Sequence, residues 1–249
     1  MRTIHLRCYE ELNEFLPIKK RKVEFPHSVT VQTSVKDLIE SFNIPHTQVQ
    51  MIMVNGEQQD FSYIIHDNDR VSVYPFFHSF DINSVSKIHH QLPDTIRFLV
   101  DQHLGSLARY LRMLGIDTAY NEDLSAHELV EKANLENRIL ITKNHSILKW
   151  NELKFGYFVY ANDLDSQLEE LLLQFKLRDH ISLFSRCLEC NTPLNPIEKE
   201  QIEHRLPTKV RKGHDSFSLC KHCDKIYWKG THYQRMQQKI ENIPKINIE

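Results

Sequence analysis

No apolar stretch in this 249-residue chain approaches the ~18–20 residues that a bilayer-spanning helix needs, so a membrane protein is not expected. Met1-Arg2-Thr3-Ile4-His5 does not lead into the apolar core of a signal peptide. Cysteine is also scarce. There are five, with Cys8 far from the other four, and an odd set of this kind excludes a simple disulfide framework. Together these absences predict a cytoplasmic protein in which Cys8 is a small buried hydrophobe.

The residues that are present predict a globular chain. With 41% hydrophobic and 26% charged residues, it can form two or three small cores. The formal charge of −2 is distributed unevenly. Residues 1–94 hold 9 Lys/Arg against 12 Asp/Glu and residues 95–203 hold 12 against 17, whereas residues 204–239 hold 9 against 2. Basic charge is therefore concentrated near the C-terminus.

Residues 1–80 form a first module that reads strand, strand, helix, strand, strand. "RTIHLRCY" (2–9) alternates, "VEFPHSVT" (23–30) is extended, and Ser34 with Asp37 caps a helix carrying Leu38, Ile39 and Phe42. "VQMIMV" (49–54) is a strand closed by Asn55-Gly56, and "RVSVYPF" (70–76) is the last strand. The order resembles a β-grasp, the ubiquitin-like fold of small sulfur carriers. Those carriers end in Gly-Gly, whereas this chain continues through Pro75-Phe76-Phe77-His78, so a docking or scaffold role is expected instead. The run Lys19-Lys20-Arg21-Lys22 reads as a solvated loop. A polar linker, "DINSVSKIHHQLPD" (81–94), follows.

In residues 95–180 strands and helices alternate, which predicts a parallel α/β sheet. The strands are "IRFLV" (96–100), "IDTAY" (116–120), "ILIT" (139–142) and "YFVY" (157–160). Leu104, Leu107, Leu111 and Leu114 recur at helical spacing and should face the sheet, with Arg109 and Arg112 elsewhere on that helix. Ser125 and Glu128 form a capping box. Ligands of open parallel sheets sit beyond the carboxyl ends of the strands. Those ends carry Asp101, then Glu122 and Asp123, then Asn144, then Asp163. Converging carboxylates repel one another unless a cation neutralises them, which makes Mg²⁺ or Mn²⁺ the candidate ion. His103, His127 and His145 lie on the same edge.

"FLVDQHLGSLARYLRMLGIDTAY" (98–120) with "NRILITKN" (137–144) resembles the ribonuclease family named for the C-terminal domain of the Mut-seven exonuclease, a compact relative of PIN nucleases. Members often carry a ubiquitin-like domain in front and a zinc ribbon behind. The resemblance implies a PIN-like fold and RNA as substrate class. It assigns the first acid to Asp101 and a fourth to Asp163, but the second falls on Ala126 and the third on Asn144. An Asn oxygen brings no charge to a metal, so weak or lost hydrolysis is expected, with Asp123, Glu122 or Glu128 as compensating acids. The alternative is an active Mg²⁺- or Mn²⁺-dependent endoribonuclease using Asp101 and Asp163.

Residues 185–240 contain "CLEC" (187–190) and "CKHC" (220–223), two knuckles separated by 29 residues. Cys187, Cys190, Cys220 and Cys223 can close a tetrahedral Zn²⁺ site with no open position for water, which predicts a structural metal. "KIYWKGTHYQRM" (225–236) resembles the family's ribbon and mixes Tyr227, Trp228 and Tyr233 with Lys225, Lys229 and Arg235. Aromatic faces stack on unpaired bases while cations meet phosphate. The RNA-binding candidates are therefore Lys225, Trp228, Lys229, Tyr233 and Arg235, joined by Arg109, Arg112 and Lys143 at the acidic edge. RNA or a ribonucleoprotein is the expected partner. A third reading is a protein-interaction adaptor working through the ubiquitin-like module.

Overall fold

The computed structural model describes residues 1–76, 86–88 and 92–242. Most of the linker expected at 81–94, together with Phe77 and His78, lies outside the described residues. Strands β1 (Arg2–Cys8) and β2 (Phe25–Val29) precede helix α1 (Val35–Ser41), and β3 (Met51–Val54), β4 (Glu57–Gln59) and β5 (Arg70–Tyr74) follow. Next come β6 (Phe98–Val100), α2 (Gly105–Met113), β7 (Thr118–Tyr120), α3 (Ala126–Leu135), β8 (Ile139–Thr142), β9 (Gly156–Phe158) and α4 (Leu164–Gln174). The chain closes with β10 (Asn195–Ile197), α5 (Lys199–Ile202), α6 (Thr208–Gly213), β11 (Phe217–Leu219), β12 (Ile226–Trp228) and α7 (Thr231–Asn242).

These elements pack into two compact units, one formed by residues 1–103 and 123–160, the other by residues 104–122 and 161–249. In the first, β1 to β5 form a mixed sheet in the order β2-β1-β5-β3-β4, with β1 and β5 parallel at its centre. Alternation along β1 buries Ile4, Leu6 and Cys8 against Leu38 and Ile39 of α1, as period-2 and period-3.6 patterns require. Ser34 caps α1 by accepting the Asp37 N–H at 3.1 Å. The turn between β3 and β4 uses left-handed Asn55 (φ 52°) and Gly56 (φ 86°), residue types that tolerate that region. In the basic run, Lys20 lies over the Phe25 and Phe42 rings, and Arg21 donates to the Leu16 carbonyl at 2.8 Å.

The same unit contains a second sheet in which β8 pairs in parallel with β6 on one side and β9 on the other. All four residues of β8 are buried, the pattern of a central parallel strand. The other side of β9 is met by the β-grasp module. Buried Gln48 donates through Nε2 to the Gly156 carbonyl at 3.1 Å and accepts the Phe158 N–H through Oε1 at 3.1 Å. A side-chain amide thus offers β9 the donor and acceptor that a neighbouring strand would present. Thr47 adds a hydrogen bond to the Leu148 carbonyl at 3.3 Å, and Phe15 meets Phe158 and Tyr160 edge-on.

In the second unit α2 packs against β7 and α4, with Leu107, Leu111 and Leu114 fully buried. Gly115 (φ 85°) ends α2, donating to the Arg112 carbonyl at 2.9 Å, and a Cβ there would collide with the Ser182 carbonyl. The three strands β10, β11 and β12 form an antiparallel ribbon whose small core is Ile202, Leu206 and Phe217. Among the described residues, no helix is long and apolar enough to cross a membrane.

Candidate functional site

In the first unit, Asp101 follows β6 directly and is buried. One carboxylate oxygen accepts the Thr142 hydroxyl at 2.5 Å and the other accepts the His103 N–H at 3.2 Å. The Thr142 hydroxyl oxygen in turn accepts the Asn144 N–H at 2.9 Å. The Asn144 side-chain oxygen accepts the Ser146 N–H at 3.0 Å, so this exposed amide is part of a local turn. Asp101, Thr142, Asn144 and Ser146 therefore form one hydrogen-bonded chain at the end of the sheet. Lys143 is half-buried within it, and Asp123 is exposed.

Glu128 caps α3. Its carboxylate accepts the Ser125 N–H at 2.8 Å and the Ser125 hydroxyl at 2.6 Å, completing the capping box that the sequence predicts. The hydroxyl bond, followed by the backbone bond, holds the Glu128 carboxyl below its ordinary value. The His127 ring lies 6.3 Å from that of Trp150, and His103 Nε2 is 3.4 Å from the Gln102 amide. In the second unit, Asp163 is the N-cap of α4 and accepts the Ser166 N–H at 3.0 Å. That backbone bond leads the causes that lower its carboxyl. Asp101, Glu128 and Asp163 thus all make hydrogen bonds within the fold.

Among the described residues, the four cysteines are the only set of three or more Cys, His, Asp or Glu side chains brought together as metal ligands. Their Sγ atoms all lie within 4.8 Å of one another, and Cys190 Sγ is 3.4 Å from Cys220 Sγ. A tetrahedral centre with metal–sulfur bonds of ~2.3 Å needs sulfur–sulfur edges of roughly 3.8 Å, so this donor set fits such an ion. Each knuckle closes in the same way. The Asn191 N–H donates to the Cys187 carbonyl at 3.0 Å and the Asp224 N–H to the Cys220 carbonyl at 2.8 Å, with both residues left-handed (φ 68° and 55°). The turn thus requires a residue type that tolerates αL just after each second cysteine.

Around the sulfurs, Thr192 Oγ1 lies 3.2 Å from Cys190 Sγ and Tyr227 Oη lies 3.2 Å from Cys187 Sγ. The Leu188 N–H donates to Tyr227 Oη at 3.1 Å, so the hydroxyl is held between this backbone group and the sulfur. Burial, and then this sulfur contact, raise the Tyr227 hydroxyl above its usual range. Against the upward pull of burial, bonds with Thr192 and with the Cys223 and Cys220 thiols bring Cys190 down to about 6.

The basic and aromatic candidates of the second unit divide between structural contacts and solvent. Arg112 is buried and donates to the carbonyls of Thr118 (2.8 Å), Leu188 (3.0 Å) and Glu189 (2.6 Å). Burial holds its guanidinium below the ordinary value, and the Cys187 and Cys190 sulfurs lead the groups that oppose this. Arg109 is exposed, 3.8 Å from Glu189, and Lys225 pairs with the same carboxylate at 3.2 Å. Trp228 packs on the ribbon core. Lys229 sits over the Tyr233 ring at 5.2 Å, Tyr233 meets Phe184 at 5.4 Å, and Arg235 is exposed.

Sequence reasoning missed Thr142 as the partner of Asp101 and Tyr227 as the hydrogen-bond partner of a cysteine. The signal available for the first was a hydroxyl residue closing a buried strand. The second had none, because the contact spans forty residues of sequence.

Two family models match the chain. The one described as Mut7-C RNAse domain covers residues 96–240, and the one described as Mut7-C ubiquitin covers residues 1–81. No curated protein and no solved structure matches it.

Proposed function

The chain belongs to the Mut7-C RNAse domain family, and from that premise we propose an RNA-acting protein in which binding dominates and hydrolysis is weak or lost. The observation that carries this reading is the state of Asp101. Both of its oxygens accept hydrogen bonds within the fold, and the neighbouring strand end supplies Asn144, a neutral amide engaged in its own turn. Among the described residues of the first unit, Asp101, Asp123 and Glu128 are not brought together with histidines as a set of three metal ligands, which supports a sheet edge that holds Mg²⁺ or Mn²⁺ weakly. Ala126, which opens α3, has no carboxyl to offer.

RNA or a ribonucleoprotein is held, in this proposal, by the basic ribbon through Lys229, Tyr233 and Arg235 together with Lys209, Lys212 and Lys221 of the same stretch, while Lys225 and Arg109, which face Glu189, add positive charge. Arg112 and Trp228 support that surface from within. The ion of the four-cysteine site is zinc, closed by four sulfurs and hence structural. In the same proposal residues 1–80 are a docking or scaffold module, 95–180 the PIN-like module and 185–240 the zinc ribbon, and the protein is cytoplasmic. The Gln48 contact with β9 supports a scaffold role for the first module.

The test combines RNA affinity with cleavage. Asp101→Asn is expected to leave affinity for a labelled RNA within about twofold, because Asp101 is not among the basic and aromatic residues proposed to hold it. Manganese-dependent cleavage abolished by Asp101→Asn would overturn the reading in favour of an active endoribonuclease. The double change Ala126→Asp with Asn144→Asp is expected to raise cleavage above the background of the unaltered chain.

A further inference from the structure

Arg112 combines two features that are individually ordinary and together unusual. It is a guanidinium with 5% of its surface exposed, and among the described residues its hydrogen bonds go to carbonyls rather than to a carboxylate. A buried cation is costly without a counter-charge. The acids nearby have other partners. Asp117 pairs with Arg186 at 3.3 Å and accepts from Asn191 at 2.7 Å, and Glu189 faces Lys225 and Arg109. Glu189 and Asp117 offset part of that charge, and four thiolates around one dication, with a net charge of about −2, would add to the compensation.

The geometry brings the guanidinium directly to that centre. The two carbonyls that share Nη1 belong to Leu188 and Glu189, the residues between Cys187 and Cys190, while Nε is fixed by the Thr118 carbonyl on β7. One side chain of α2 thereby ties helix, strand and first knuckle together. A second set of bonds runs in parallel: the Thr118 N–H to Asn191 Oδ1 at 3.0 Å, and Arg186 Nε to the Gly115 carbonyl at 3.2 Å. The knuckle that presents these two carbonyls to Arg112 is the one whose Cys187 and Cys190 sulfurs converge with those of Cys220 and Cys223.

We infer that Arg112 couples metal occupancy of the four-cysteine site to the order of the α2–β7 segment, so that the ribbon's ion stabilises the nuclease-like part of the chain as well as the ribbon. The coupling is reciprocal, because whatever the ion contributes to the segment, the segment contributes to ion affinity. The inference rests on zinc occupying the site and does not depend on RNA cleavage.

The experiment uses the full chain. Metal content is measured first, and hydrogen exchange of peptides spanning 105–120 is then compared before and after removal of the ion by a strong chelator. Exchange in 105–120 is expected to rise about 10-fold or more along with that of 186–194. In parallel, ion release to a chromogenic chelator is timed. Arg112→Lys keeps a charge but loses the two-carbonyl fork, and should release metal about 10-fold faster, whereas Lys176→Gln, an exposed change in the same unit, should match the unaltered chain. Stoichiometric metal whose removal leaves 105–120 unchanged would overturn the coupling alone. A chain that holds no metal would overturn the coupling and the zinc reading together. The exchange comparison needs no variant, so it decides the matter even where Arg112→Lys does not fold.

Discussion

If the basic ribbon binds single-stranded RNA, its affinity has a calculable dependence on salt. Of the Lys and Arg residues between 204 and 238, Arg205, Arg211 and Lys225 face carboxylates at 3.0, 3.9 and 3.2 Å. Lys209, Lys212, Lys221, Lys229 and Arg235 have no ion pair among the described residues. Five cations meeting phosphates give a slope of log affinity against log salt of about −3.5, at roughly −0.7 per contact on single strands. Between 50 and 200 mM salt this amounts to a loss of about 100-fold. Replacing Lys209 and Lys212 together by Gln removes two contacts, so the slope should fall to about −2.1 and the loss to about 20-fold. Both lysines are exposed on or beside α6, and the exchange leaves the ribbon core untouched. Fluorescence anisotropy of an end-labelled RNA, titrated at several salt concentrations, measures each slope. A slope near zero, or one that the double change does not alter, would show that the phosphates are met elsewhere and refute the assignment.

Gln48→Ala should lower the urea midpoint of the first unit, because the Gly156 carbonyl and the Phe158 N–H each lose a buried partner, a cost of roughly 2–4 kcal/mol; a change under about 0.5 kcal/mol would show that water replaces the amide. Glu128 has its carboxyl depressed in the folded chain, so its contribution is present above the ordinary glutamate value and disappears as pH falls through the lower folded value. Thermal melting of the chain and of Glu128→Gln should therefore differ near neutral pH and converge in acid, and curves that stay parallel throughout would contradict the capping role.

The parts of the fold that were legible in the sequence are those where a local rule and the tertiary structure agree. Alternation in β1, the Ser34 and Ser125 caps, the Asn55-Gly56 turn and the paired knuckles all depend on residues within a few positions of one another. The site was harder to read because the same residue types serve two purposes. Glu128 and Asp163 stand at helix starts, where a carboxylate is equally suited to holding an ion and to capping orphan N–H groups, and the structure uses both as caps. Arg112 defeats periodicity altogether. It lies beside the leucine stripe of α2, where a cation would be expected in solvent, yet a contact seventy-six residues away buries it. Gln48 is similar, since nothing local marks a polar side chain that completes a sheet edge.

Cys8 has a practical consequence of its own. It is 1% exposed, and burial pushes its thiol up to about 12, so at neutral pH only ~10⁻⁵ of it is the reactive thiolate. The remaining cysteines all belong to the other compact unit. Each half of the molecule therefore carries its own chemical reporter. The rate at which iodoacetamide alkylates Cys8 times the breathing of the N-terminal core, and mass spectrometry of the digested product separates that clock from the one kept by the ribbon sulfurs, without the addition of a single label.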